Sequence, residues 1–173
     1  MSYQSIIPPL SFKGIAVTSY FTSSYSNEYM PWFSVDPNSK LIDSSQNNQW
    51  RTYPDDNQKI SFVMKYNSPI VAERIYYENS HDGGKNTWAG WKEVSLWGSN
   101  LNDTVSYNDK SEQTLIWEGL FDIHINKNIA DPKYITINNS EPYKYYHFRI
   151  EKPHRIGLNS FICIRHIALQ IFV

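Results

Sequence analysis

A few short patterns in this chain hold the residue types that catalysis needs, and none has the spacing that the chemistry demands. Asp55-Asp56 sets two carboxylates side by side. Glycoside hydrolysis needs such a pair on opposing elements across the scissile bond, so this pair reads as a solvated acidic turn. Gly83-Gly84-Lys85 lacks the earlier glycine and the following Ser or Thr of a phosphate loop and reads as a flexible turn. Neither His-Glu-x-x-His nor Gly-x-Ser-x-Gly occurs. Cys163 is the only cysteine, which excludes an intrachain disulfide and a thiolate zinc set. It is expected as a small buried side chain in a strand. The chemistry left to the chain is non-covalent recognition by side chains on loops, and it is not expected to be an enzyme.

The elements that would position such loops are strands. Aromatic residues make up 16% of the 173 residues, with 13 Tyr and 6 Trp. Aromatic and β-branched residues suit a pleated surface, and the Asn-rich segments between them suit turns. Lys59 to Tyr66 alternates, with Ile60, Phe62, Met64 and Tyr66 on one face and Lys59, Ser61 and Lys65 on the other. Pro69 is expected to stop that strand, and Ile70 to Glu78 is the next run. Further strands are predicted over Trp91 to Gly98, Gln113 to Trp117, Tyr134 to Ile137, Tyr145 to Glu151 and Ile162 to Val173. The last is apolar enough to be buried on both faces, with a bulge. No convincing amphipathic helix interrupts them. The fold class is therefore all-β, a single jelly-roll β-sandwich. Residues 1–14 are expected to be a loose arm and residues 15–173 the domain.

Charge narrows the partners. The net charge is -1, with Lys and Arg scattered among Asp and Glu, so no basic face for nucleic acid is expected. No apolar run approaches a membrane span. The amino terminus lacks a basic start followed by an apolar run, so no secretory signal is expected. The sequons at Asn102 and Asn138 are read as chance matches on that basis.

The order of segments resembles the galactose-binding-like (discoidin, or F5/8 type C) family and its family 32 carbohydrate-binding modules. Val17 to Ser24 resembles that family's opening strand, and Pro31-Trp32-Phe33-Ser34-Val35-Asp36 the approach to its Asp-Gly-Asn turn. Gln49-Trp50 resembles the Trp that plugs the sandwich, and Ile60-Ser61-Phe62 the strand after it. Trp91-Lys92-Glu93-Val94-Ser95-Leu96-Trp97-Gly98-Ser99-Asn100 is the most specific match. Tyr143 to Ile150 and Ile164 to Ile171 resemble the last two strands. Trp32, Trp50 and Trp97 are assigned to the core or to structural roles.

The resemblance implies a glycan or glycoconjugate as partner, galactose-type favoured, held by loops at one end of the sandwich. Aromatic faces would take its C–H groups and polar side chains its hydroxyls. The positions it implies are Glu28, Arg51, Asn79 to His81 and Phe161, with Tyr53 and Trp88 beside them. It also implies a structural Ca²⁺ at the turn. Here the turn reads Asp36-Pro37-Asn38, and His166 stands where a strand Glu is expected. Imidazole is a poor calcium ligand, so Asp36 and Asn38 are read first as turn residues. Two other readings compete. One is an oligomeric structural or receptor-binding component of a virion or phage tail. The other is a lipid- or protein-binding domain with Tyr25, Tyr29 and Met30 as an exposed spike.

Overall fold

A computed structural model describes residues 1–18, 29–42, 49–52, 59–155 and 161–173. Among the described residues ten strands follow one another: β1 (Tyr3–Ile6), β2 (Ile15–Val17), β3 (Trp50–Thr52), β4 (Ile60–Ile70), β5 (Arg74–Asn79), β6 (Trp91–Ser99), β7 (Thr114–Leu120), β8 (Lys133–Thr136), β9 (Tyr143–Pro153) and β10 (Ile162–Phe172). They form two five-stranded sheets. In the first, β10 lies at the centre, with β5 and then β8 on one side. On its other side β1 pairs with its second half and β3 with its first. The second sheet has the order β2-β4-β9-β6-β7. The described pairings are antiparallel. The chain is an all-β sandwich.

Alternation predicts the inner faces well. Ile60, Phe62, Met64 and Tyr66 of β4, Val94 and Leu96 of β6, and Tyr146, Phe148 and Ile150 of β9 are all buried between the sheets. Trp50 plugs the centre, its ring 5.2 Å from that of Phe62 and 5.9 Å from that of Trp91. β10 is buried along nearly all its length, and its register with β5 shifts between Ile164 and His166, the bulge expected there.

Two expectations are corrected. Pro69 does not end β4, which runs on to Ile70. Its pairing with β9 lapses between Lys65 and Ile70, so the missing proline N–H breaks no ladder bond there. Residues 3–6 are not a loose arm, because β1 is hydrogen-bonded to β10 from Tyr3↔Phe172 to Ile6↔Leu169. The outer face of the second sheet is not simply solvated. His147 and Arg149 are buried there because the segment after β6 folds across it, and His147 Nε2 meets the Asn102 carbonyl of that segment at 2.8 Å. Arg149 fastens that segment by donating to the Tyr107 carbonyl (2.8 Å), the Asp109 carbonyl and Gln113 Oε1 (2.7 Å). Trp97 lies half-buried on this outer face, its Nε1 donating to Ser95 Oγ at 2.9 Å. Trp32 is half-buried against the edge of the core.

Candidate functional site

The register of β3 on β10 sets Arg51 opposite Cys163, which brings Arg51 beside Phe161 at the mouth of β10. The Arg51 guanidinium lies 4.1 Å from the centre of the Phe161 ring and 4.1 Å from that of Tyr29. Two aromatic faces therefore hold one cation, an arrangement that suits the planar, weakly hydrated guanidinium. Phe161 in turn packs on Trp88, centroids 5.1 Å apart at 47°. Trp88 comes from a 3-10 turn, Thr87–Ala89, just before β6. Arg51, Phe161 and Trp88 are each half-buried, so part of each faces the solvent at this end of the sandwich. The backbone carbonyl of Trp88 accepts from Arg155 N–H at 3.1 Å.

Of the residues expected at the site, the structure gathers Arg51, Trp88 and Phe161 into one cluster. Glu28 and Tyr53 lie outside the described residues, as do Asp55 and Asp56. Asn79 and His81 are close by but fully buried, and their polar atoms are spent inside the fold. Asn79 Nδ2 donates to the Trp91 carbonyl (2.7 Å) and the Asp122 carbonyl (2.9 Å). Its Oδ1 accepts from the N–H groups of Trp91 (2.9 Å) and Ser80 (3.0 Å). Gly90 leaves the room for this amide, since a Cβ there would collide with the Asn79 side chain. Asn79 thus ties the end of β5 to the start of β6 and fixes the turn that carries Trp88. Removing the amide leaves the buried N–H and carbonyl of Trp91 without their partner. Asn79→Ala is expected to cost about 3 kcal/mol, at roughly 1–3 kcal/mol per orphaned group, read as a lower urea midpoint at unchanged slope. A midpoint equal to wild type would show that this clamp does not hold the loop.

His81 Nε2 donates to the Leu41 carbonyl (2.7 Å), and its Nδ1 accepts from Gly84 N–H (3.0 Å). Its ring stacks on that of His124, centroids 4.1 Å apart. Burial pushes His81 down to about 4, so it is neutral at physiological pH and serves as a structural link between loops. Cys163 is fully buried against Ser80 Oγ, and burial raises its thiol above the usual value, which leaves no reactive thiolate.

Tyr29 is the participant that sequence reasoning put in the wrong role. It and Met30 are buried, at 5% and 6% exposure, and do not form an exposed spike. Tyr25 lies outside the described residues. The backbone of Tyr29 has φ 61, and nothing in its sequence neighbourhood signals that turn toward Arg51.

The residues that a calcium ion would need do not fit it. Asp36 Oδ1 already accepts from the backbone N–H (2.9 Å) and the side-chain amide (3.2 Å) of Asn38, a self-contained turn. His166 faces Asp36 from β10, and burial holds it near 4. Among the described residues no group of three or more His, Cys, Asp or Glu is placed to hold a metal ion, and none of their helices is long and apolar enough to cross a membrane.

Solved structures match this architecture along nearly the whole chain. The family 32 carbohydrate-binding module of NanJ from C. perfringens, in complex with galactose, superimposes with a TM-score of 0.60 at 14% identity, covering 98% of this chain and 100% of that one. The fold is the galactose-binding-like β-sandwich. The family 32 module of EndoD from Streptococcus pneumoniae gives a TM-score of 0.61 at 11% identity over 96% of this chain and 98% of that one. The Clostridium perfringens module CpGH89CBM32-5, in complex with GalNAc-β-1,3-galactose, gives 0.58 at 16% identity over 90% and 92%. No protein-family model matches the sequence, and no curated protein matches it either. At these identities the likeness establishes the galactose-binding-like fold, and the site has to be argued from the residues of this chain.

Proposed function

We propose that this chain is a non-catalytic carbohydrate-binding module that grips a glycan, galactose-type favoured, at the loop end of its sandwich. The observation that carries the reading is the Arg51 guanidinium held between Tyr29 and Phe161, with Trp88 packed against Phe161. A pyranose offers a C–H face and a rim of hydroxyls. Trp88 and Phe161 supply the aromatic surface for the first, and Arg51 supplies fixed N–H donors for the second. The rings restrain the guanidinium before the ligand arrives, which lowers the ordering cost of binding. The galactose and GalNAc-β-1,3-galactose carried by structural neighbours support the choice of sugar. Glu28 and Tyr53 complete the proposed set. Tyr29 and Met30 are buried, so they do not supply the apolar spike that a lipid-inserting role was expected to use.

Calorimetric titration against a panel of mono- and disaccharides, guided by a glycan array, tests the reading. Trp88→Ala and Arg51→Ala are each expected to weaken the best ligand at least tenfold, on the scale of a hot-spot truncation. The melting temperature should move by only a few degrees, because these side chains are half-exposed. Equal affinity in wild type and both variants, or silence across the panel at millimolar sugar, would sink it.

A further inference from the structure

We propose that the outer face of the second sheet carries a separate site for a neutral, hydroxyl-rich ligand, a short run of uncharged pyranose units. The site is an open cavity of about 410 Å³, within the range of small-molecule sites. Alternation along β6 turns Glu93, Ser95 and Trp97 outward in one line. Glu118 and Leu120 of β7 flank that line, registered opposite Ser95 and Glu93, and Glu151 of β9 and Lys110 complete the lining. The line from Glu93 to Trp97 is roughly 13 Å long at about 3.3 Å per residue, enough for more than one sugar ring.

The charges define the ligand. Glu93 is held by Lys152 Nζ at 3.0 Å, and Glu151 is faced by Lys59 Nζ at 4.0 Å and bonded to the Tyr107 side chain. Two of the three carboxylates are therefore already balanced by cations at the rim. Among the described residues, Glu118 and Lys110 form no ion pair, and both are exposed. Lys110 Nζ stands 4.7 Å from the centre of the Trp97 ring. The cavity thus offers one carboxylate and one ammonium without an ion pair, beside an indole and the exposed Leu120. Sugar hydroxyls can bond to either group, because each hydroxyl accepts and donates. With one unpaired charge of each sign in its lining, the cavity gives neither a cationic nor an anionic ligand a net attraction. The indole is held in place by its bond to Ser95 and by the Arg149 guanidinium 5.2 Å from its centre, so its position is set before a ligand arrives.

This site does not depend on the loop-end reading, and one titration separates the two. Amide NMR spectra would follow tetrasaccharides of neutral hexoses, with glucosamine and uronate oligomers of equal length as comparators. Neutral oligomers are expected to shift Ser95, Gly119 and the Trp97 indole N–H. The pair of exposed substitutions Glu118→Ala and Lys110→Ala should weaken that response at least tenfold, and Arg51→Ala should leave it unchanged. Shifts confined to Trp88 and Phe161 would overturn the groove while leaving the loop end standing. A stronger response to either charged oligomer, or no shift at the three reporters, would overturn it too. Groove shifts with a silent loop end would support this site and count against the other.

Discussion

Lowering the pH from about 6.5 to 4 is expected to remove most of the stability of this domain. All five histidines are pushed below their ordinary value, each with burial as the largest cause. His81, His147 and His166 are held near 4. The unfolded chain takes up protons from about 6.5 downward, whereas the folded domain refuses them until about 4. Stability is therefore complete above 6.5, falls through that window, and levels off only below the folded values. A shift of that size corresponds to about 3 kcal/mol per histidine, at roughly 1.4 kcal/mol per unit. Three such groups reach the scale of a domain's whole stability, about 5–15 kcal/mol.

The geometry says why the protons are refused. His81 and His124 both use Nδ1 as an acceptor, from Gly84 N–H and Asn126 N–H. Protonation would break those bonds and place two cations in stacked rings near Arg165, which donates to the His81 carbonyl. Asp82, Asp131 and Lys133 are the other charges facing the pair. His147 has its Nε2 on the Asn102 carbonyl (2.8 Å) and its Nδ1 buried without a partner. Glu78 works the other way. It is buried, and burial raises its carboxyl, so it gains stability as the pH falls and offsets part of the loss. Urea unfolding at a series of pH values checks the expectation. A midpoint that stays constant from pH 7 to 4.5 would refute the histidine account, and His147→Gln should flatten the dependence measurably.

Trp50→Ala is expected to cost about 3–5 kcal/mol, the range for emptying a large buried aromatic site, and to leave the domain largely unfolded at physiological temperature. Trp50 is 0% exposed. It belongs to β3 in the first sheet, yet its ring meets Phe62 of β4 and Trp91 of β6 in the second, so it is a packing contact that crosses the sandwich. Trp50→Phe retains part of that contact and should cost less. Trp97→Ala is the contrast, because Trp97 lies on the outer face, half-buried, with Lys110 beside its ring. Thermal melts of the three variants give the order. Less than 1 kcal/mol lost in Trp50→Ala would move this residue out of the core.

Several features were legible before any coordinates. Inward positions such as Phe62, Leu96 and Phe148 follow from a period of two, since neighbouring side chains on a strand must point to opposite faces. Burial of Trp50 and the bulged, buried β10 were equally readable. Pro69 misled because its consequence depends on whether its edge is paired, and pairing is not a local property. His147 and Arg149 fall on the face opposite Tyr146, Phe148 and Ile150, and alternation alone does not say what covers it. They are buried because a segment some forty residues earlier in sequence lies across them, held by carbonyls that Arg149 selects.

The sequence by itself determined the strands, their inner faces and a surface rich in aromatic loops, because these follow from the geometry of one extended chain and its turn residues. Only the tertiary structure decided which loops meet. Arg51 sits opposite Cys163 through a register between strands more than a hundred residues apart. That register, with the Asn79 clamp under Trp88, brings positions 29, 51, 88 and 161 within reach of one another. Hydrogen-bond ladders act across space, and their register fixes which distant side chains share an end of the sandwich.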